Sequence, residues 1–156
     1  MSKNPTPISG LFEAHLTVLN LERATAFYPD VIGLELAHLV AERRAAFFWV
    51  GARGKAMLGI WEAGSAPIVL TLHVALQVSL ADLHSAPKRL QQAGVQPRDF
   101  NGAATEEPVV LAWMPAAAVY FHDPDGNLLE FIAMLRDEPR AELGVLPWSD
   151  WVRRML

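Results

Sequence analysis

Apolar and polar positions alternate in part along residues 11–20, LFEAHLTVLN, and then change period. Leu21, Ala24, Phe27 and Tyr28 fall on one helical face, with Asn20 placed to cap its start. The change predicts a strand followed by a helix. LELAHLVA, RAAFFWVG and KAMLGIWEA come next, short apolar runs parted by ERR and GARG, which is the pattern of a strand meander with tight turns. The first half therefore reads βαβββ. After the breaker GSAP the order begins again: LTLHVALQVSL has strand character, and DLHSAPKRLQQAG has helical character, with Pro87 near its first turn and Gly94 closing it. VQPRDF, AAAVYFHD and GNLLEFIAM are expected to supply the later strands, while NGAATEEPVVLAWMP carries no assignment.

A duplicated unit accounts for the restart, because two half-folds of one kind repeat their apolar positions at a nearly fixed spacing. Leu16 and Val18 match Leu76 and Val78 at an offset of 60, Leu21 and Ala24 match Leu83 and Ala86 at 62, and Gly33 matches Gly94 at 61. Carried back along the strand, the offset of 60 pairs Glu13 with His73. Both are potential metal ligands.

Composition narrows the chemistry. A chain of 156 residues that is 52% hydrophobic holds enough apolar side chain for a compact domain, and a formal charge of −4 without a basic run argues against nucleic acid as a partner. The longest apolar stretch, PVVLAWMPAAAVYF, is 14 residues broken by proline, short of the roughly 20 a membrane helix needs. No apolar signal core opens the chain, so a cytoplasmic protein that meets small molecules is expected. The absence of cysteine leaves only His, Asp and Glu to hold a metal.

Strand parity then selects candidates. Glu13 and His15 point to the same face of the first strand, and His73 occupies the matching strand of the second half. Glu130 follows the turn DPDG and stands among Leu128, Leu129, Phe131 and Ile132, where a lone carboxylate is costly to bury. A divalent cation is an economical partner for it, since imidazole and carboxylate from separate strands converge on one ion and leave coordination positions open. Set against this, a histidine on a half-buried strand is more often a hydrogen-bonded core residue, and a strand glutamate more often faces water.

HLTVLNLERATAFY with VIGLEL, then LHVALQV, and finally YFHDPDGNLLEF resemble the vicinal oxygen chelate superfamily, which includes glyoxalases, extradiol dioxygenases, and fosfomycin- and bleomycin-resistance proteins. The resemblance covers about residues 11–134 and implies an α+β fold: two βαβββ modules, 11–62 and 71–134, forming a cupped open barrel of eight strands around a divalent metal. Residues 135–156 form a tail outside it, in which SDWVRRML suits a short amphipathic helix with Ser149 as its cap. His73 and Glu130 match two of the family's ligands. The first-module histidine position falls on Glu13, whereas the histidine stands at His15. Either Glu13 holds the ion with His15 as a neighbouring base, or a register shift puts His15 on it; imidazole suits the softer divalent ions, Zn, Ni, Mn, Co or Fe, and favours His15. Gly59 occupies the place of a further glyoxalase glutamate, which argues against an ordinary glyoxalase site.

The resemblance also implies that Tyr120 lines the substrate cavity and donates to a bound oxygen. Ala116 and Ala118 stand where fosfomycin-resistance enzymes carry anion-binding groups, and no inward cluster of Arg or Lys is evident. Trp49, Trp61, Trp113 and Phe48 are candidates for an apolar wall. The implied function is a metal-dependent lyase, isomerase or dioxygenase acting on a small oxygen-rich or aromatic substrate, with Glu130, Glu13 or His15 as base and a homodimer as the assembly. The alternative is a protein of the bleomycin-resistance type that sequesters a small molecule without catalysis.

Overall fold

Two compact units make up the computed structural model of the chain, which describes residues 10–63 and 71–155. The GSAP breaker lies outside the described residues. In the first unit, β1 (Glu13–Val18) leads to α1 (Leu21–Phe27), which a π-helical turn prolongs through Tyr28–Ile32. Strands β2 (Glu35–Val40), β3 (Ala45–Val50) and β4 (Ala56–Glu62) follow. The sheet order is β1-β4-β3-β2, with β1 parallel to β4 and the other pairs antiparallel.

The second unit repeats that plan. It comprises β5 (His73–Gln77), α2 (Leu80–Gln92), β6 (Val109–Leu111), β7 (Ala116–His122) and β8 (Leu128–Met134) in the order β5-β8-β7-β6, with β5 parallel to β8. The expected α+β class and the paired βαβββ modules are what the structure shows. Local chemistry explains the matching helix starts: Asn20 Oδ1 accepts from Arg23 N at 2.7 Å, and Ser79 Oγ accepts from Asp82 N at 3.1 Å.

Each sheet turns one face to its helix. Leu16, Val18, Phe48, Leu58 and Ile60 are buried with Leu21, Ala24 and Tyr28 of the first helical segment, and Leu76, Val119, Phe121, Leu129 and Phe131 with Leu83, Ala86 and Leu90 of α2. Because successive strand residues point to opposite sides, the other face is left to Glu13, His15, Phe47, Gly59 and Trp61 in one unit and to His73, Ala75, Tyr120 and Glu130 in the other.

Three details differ from the sequence expectation. VQPRDF forms no strand; only Arg98 bridges to the sheet, and the second strand of the second module is instead Val109–Leu111, inside the unassigned stretch. Helix α2 starts at Leu80, so Pro87 lies in its interior on the buried side rather than near its first turn. The tail joins the second unit: β9 (Val145–Pro147) pairs with β6, and α3 (Trp148–Met155) follows directly. Ser149 sits within that helix, and its backbone N and Oγ both donate to the Glu107 carboxylate, at 2.9 and 3.0 Å. No helix among the described residues is long and apolar enough to cross a membrane.

Candidate active site

The turn DPDGN does more than reverse the chain. Asp123 Oδ1 accepts from the backbone N of Asp125 and Asn127 at 2.9 and 2.8 Å, and Gly126 supplies the left-handed backbone the turn requires (φ +88°). Asn127, fully buried, donates from Nδ2 to Asp123 Oδ2 at 2.8 Å and accepts at Oδ1 from Leu72 N at 3.0 Å. That last bond ties the turn to the residue preceding β5. It holds the register in which His73 lies opposite Leu128 and Ala75 opposite Glu130.

In this register the two side chains meet. His73 Nδ1 stands 3.1 Å from the Leu128 carbonyl, and its Nε2 stands 3.1 Å from Glu130 Oε2. Nδ1 must carry the proton to donate to a carbonyl, so Nε2 is the nitrogen turned to the carboxylate. Glu130 is only 5% exposed, and among the described residues its Oε1 is buried without a hydrogen-bond partner. Burial raises the Glu130 pKa; the nearby His73 and the Tyr120 hydroxyl pull it back in part. The Tyr120 pKa is raised as well, first by burial and then by the Glu130 charge, so its phenol stays protonated. A buried carboxyl whose pKa is raised, an imidazole and an O–H donor thus share one locality.

A cavity of about 440 Å³ opens over this group, lined by His73, Tyr120, His122, Leu128, Glu130 and the loop Arg98–Gly102. The loop is held at the sheet by Arg98 N donating to the Tyr120 carbonyl (2.7 Å) and Tyr120 N donating to the Arg98 carbonyl (3.0 Å). Asp99 Oδ1 accepts from the backbone N of Asn101 and Ala103, closing the turn. Phe100 stands edge-on to Tyr120, with ring centroids 6.1 Å apart. Arg98 and Phe100 escape the sequence pattern because VQPRDF reads as a strand, and Asn101 because it opens the stretch without assignment. The Asn101-Gly102 pair, a turn signal in itself, could have marked the loop.

The first unit holds the other two candidates. Trp61 Nε1 donates to His15 Nδ1 at 2.5 Å, which leaves the ring proton on Nε2, 3.5 Å from Glu13 Oε1. The ring fits there because Gly59 lies opposite it: a Cβ at Gly59 would stand 2.8 Å from His15 Nδ1. Position by position, the counterpart of His73 at the start of its strand is Glu13, while His15 and Gly59 correspond to Ala75 and Glu130. The row His15–Gly59–Phe47 thus answers the row Ala75–Glu130–Tyr120.

The structure therefore brings His73, Glu130 and Tyr120 together in one unit and Glu13 with His15 in the other. Among the described residues no three His, Asp or Glu side chains gather as a group able to hold an ion. The residues suggested for an apolar wall separate: Phe48 is buried beside Tyr28 on the helix side, Trp113 is exposed, and Trp61 stands beside His15 and Phe47.

Residues 10–131 match the family model for the glyoxalase/bleomycin resistance protein/dioxygenase superfamily. An integron cassette protein from the mobile metagenome of the Halifax Harbour sewage outfall is similar at 33% identity and a TM-score of 0.71, over 81% of this chain and 100% of that one. Lactoylglutathione lyase from Agrobacterium tumefaciens shares the fold at 23% identity and a TM-score of 0.63, over 82% of this chain and 96% of that one. So does a fosfomycin resistance protein from Listeria monocytogenes, solved with Mn(II) and a sulfate ion, at 23% identity and a TM-score of 0.59, over 88% of this chain and 98% of that one.

Proposed function

Since the chain belongs to the glyoxalase/bleomycin resistance protein/dioxygenase superfamily, we propose that it is a metal-dependent enzyme acting on a small oxygen-bearing substrate, with His73 and Glu130 as donors to a divalent ion. The observation that carries this is the orphaned Oε1 of Glu130, buried beside a histidine whose Nδ1 is tied to a backbone carbonyl. An acceptor oxygen left without a partner in a buried place is unfavourable by about 1–3 kcal/mol unless something positive meets it. Histidine ligands commonly place their second ring nitrogen on a carbonyl in this way, which fixes the tautomer. Mixed nitrogen and oxygen donors suit Zn, Mn, Fe, Co or Ni, and the Listeria relative was solved with Mn(II).

When bound, such an ion supplies Lewis-acid polarisation of substrate oxygens. The chain's own groups do the rest. Tyr120, held protonated, donates a hydrogen bond to a substrate oxygen in the cavity, beside the Glu130 carboxylate. In the first unit, the Trp61 bond occupies His15 Nδ1 and leaves a proton on Nε2, so the Glu13 carboxylate is the group of that pair with lone pairs free to act as donor or base.

Elemental analysis of the untagged protein tests the proposal. Bound metal is expected in the parent and is expected to fall sharply in both His73→Ala and Glu130→Gln, with circular dichroism unchanged; metal retained by both variants would refute it. The rings of Phe100 and Tyr120 in the cavity favour non-catalytic sequestration as a second reading, which requires ligand affinity that chelation leaves intact and no turnover.

A further inference from the structure

The cavity has two chemically distinct ends. His73, Tyr120 and Glu130 form one, and the loop Arg98–Gly102 forms the other. Arg98 lines the cavity and meets no carboxylate within ion-pair distance among the described residues. Its Nη1 donates to the Gly102 carbonyl at 2.6 Å, which steadies the guanidinium, and among the described residues Nε and Nη2 have no hydrogen-bond partner. Asp99, its neighbour, has committed Oδ1 to the loop backbone. Phe100 is 55% exposed, and its ring contact is with Tyr120. Tyr120 in turn faces the His73 ring, with centroids 6.3 Å apart, so three rings run from the loop to the proposed metal donors.

A guanidinium with two uncommitted nitrogens and an exposed aromatic ring thus stand on one loop pinned to the sheet, a pairing suited to recognition. We infer that the loop Arg98–Gly102 selects the substrate, an organic acid whose carboxylate is taken by Arg98 and whose planar apolar body lies along Phe100 and Tyr120. Guanidinium offers paired donors that match a carboxylate, and aromatic faces accept a planar body without demanding particular polar groups. The acid end then lies away from Glu130, and the other end of the molecule is presented to His73 and Glu130. This deepens the enzyme proposal and rests on it only in taking the cavity to be the substrate site.

The test is calorimetric titration with phenylacetate and with phenylacetamide, which share a ring and differ in charge, run on full-length protein as purified and after chelator treatment. A charge-assisted pair predicts that the acid binds about ten- to hundredfold more tightly than the amide in both preparations. Arg98→Gln should level the two, Arg98→Lys should restore part of the difference, and Phe100→Ala should weaken both ligands equally. Equal affinities in the parent, an acid preference that survives Arg98→Gln, or no binding of either below about 10 mM would overturn the inference. A preference that vanishes on chelation would do the same, because it would assign the carboxylate to the metal. Metal content measured on Arg98→Gln should equal that of the parent, and failure of the metal proposal leaves the chelated titration unaffected.

Discussion

Asn127→Ala is the substitution whose effect the structure specifies most closely. The side chain is fully buried and is held at both ends of its amide, by Asp123 Oδ2 at 2.8 Å and by Leu72 N at 3.0 Å. Truncation leaves a carboxylate oxygen in a buried turn and a part-buried backbone donor without that partner. Each such loss costs about 1–3 kcal/mol, and water reaching the Leu72 side should hold the total to roughly 2–4 kcal/mol. With a urea dependence of about 2 kcal/mol per molar, the unfolding midpoint should fall by roughly 1–2 M. The damage should also be local, since Leu72 precedes His73 and the bond links β5 to the turn before β8. Hydrogen exchange at the Leu72 amide is therefore expected to accelerate far more than exchange in β1 or β4 of the first unit. Asn127→Asp should be worse than alanine in neutral solution, because it sets a second carboxylate against Asp123. A midpoint shift under about 0.3 M, or an unchanged Leu72 amide, would refute the view that this side chain holds the register of the site.

Two further outcomes follow from the site. Burial raises the Glu130 pKa, so the folded state favours the neutral acid; the resulting penalty is absent below the ordinary value of 4.5 and complete above the raised one. In chelator-treated protein, Glu130→Gln should thus increase stability to urea in neutral solution and leave it unchanged near pH about 4, and a gain at both or at neither would contradict the assignment. Gly59→Ala places a Cβ 2.8 Å from His15 Nδ1 and 3.1 Å from Phe47 Cε1, so the half-exposed imidazole should swing out and lose the Trp61 bond. Nitrogen NMR of His15 should register the lost hydrogen bond at Nδ1 while stability moves by about 1 kcal/mol or less, and an unaltered Nδ1 signal would refute the close packing.

The parts of this molecule that were legible in the sequence are those set by neighbours along the chain. Alternation in β1 and β4 follows from one face packing on a helix, and both helix caps lie three residues from the amides they serve. The DPDG turn is local chemistry too, and it pointed to Glu130. What escaped depends on partners distant in sequence. Strand β6 is three residues long and is recognisable only through β7 and β9 beside it. The state of His15 is set by Trp61, 46 residues away, and its placement by a glycine on a neighbouring strand. Arg98 and Phe100 matter because their loop bridges to Tyr120, which no pattern within VQPRDF reveals.

The two matching rows bear on how such a protein can change its chemistry over time. In the second unit the small Ala75 lies opposite Glu130; in the first, Gly59 lies opposite the ring of His15. Each pair sets one larger side chain against one minimal residue, so the two positions are sterically coupled. A lineage that placed a carboxylate on β4 through Gly59→Glu alone would drive it into an imidazole already at contact distance. The passable route empties the site first, through His15→Ala, and fills it second. The order of the mutations, rather than their number, decides whether the intermediate protein carries that steric conflict.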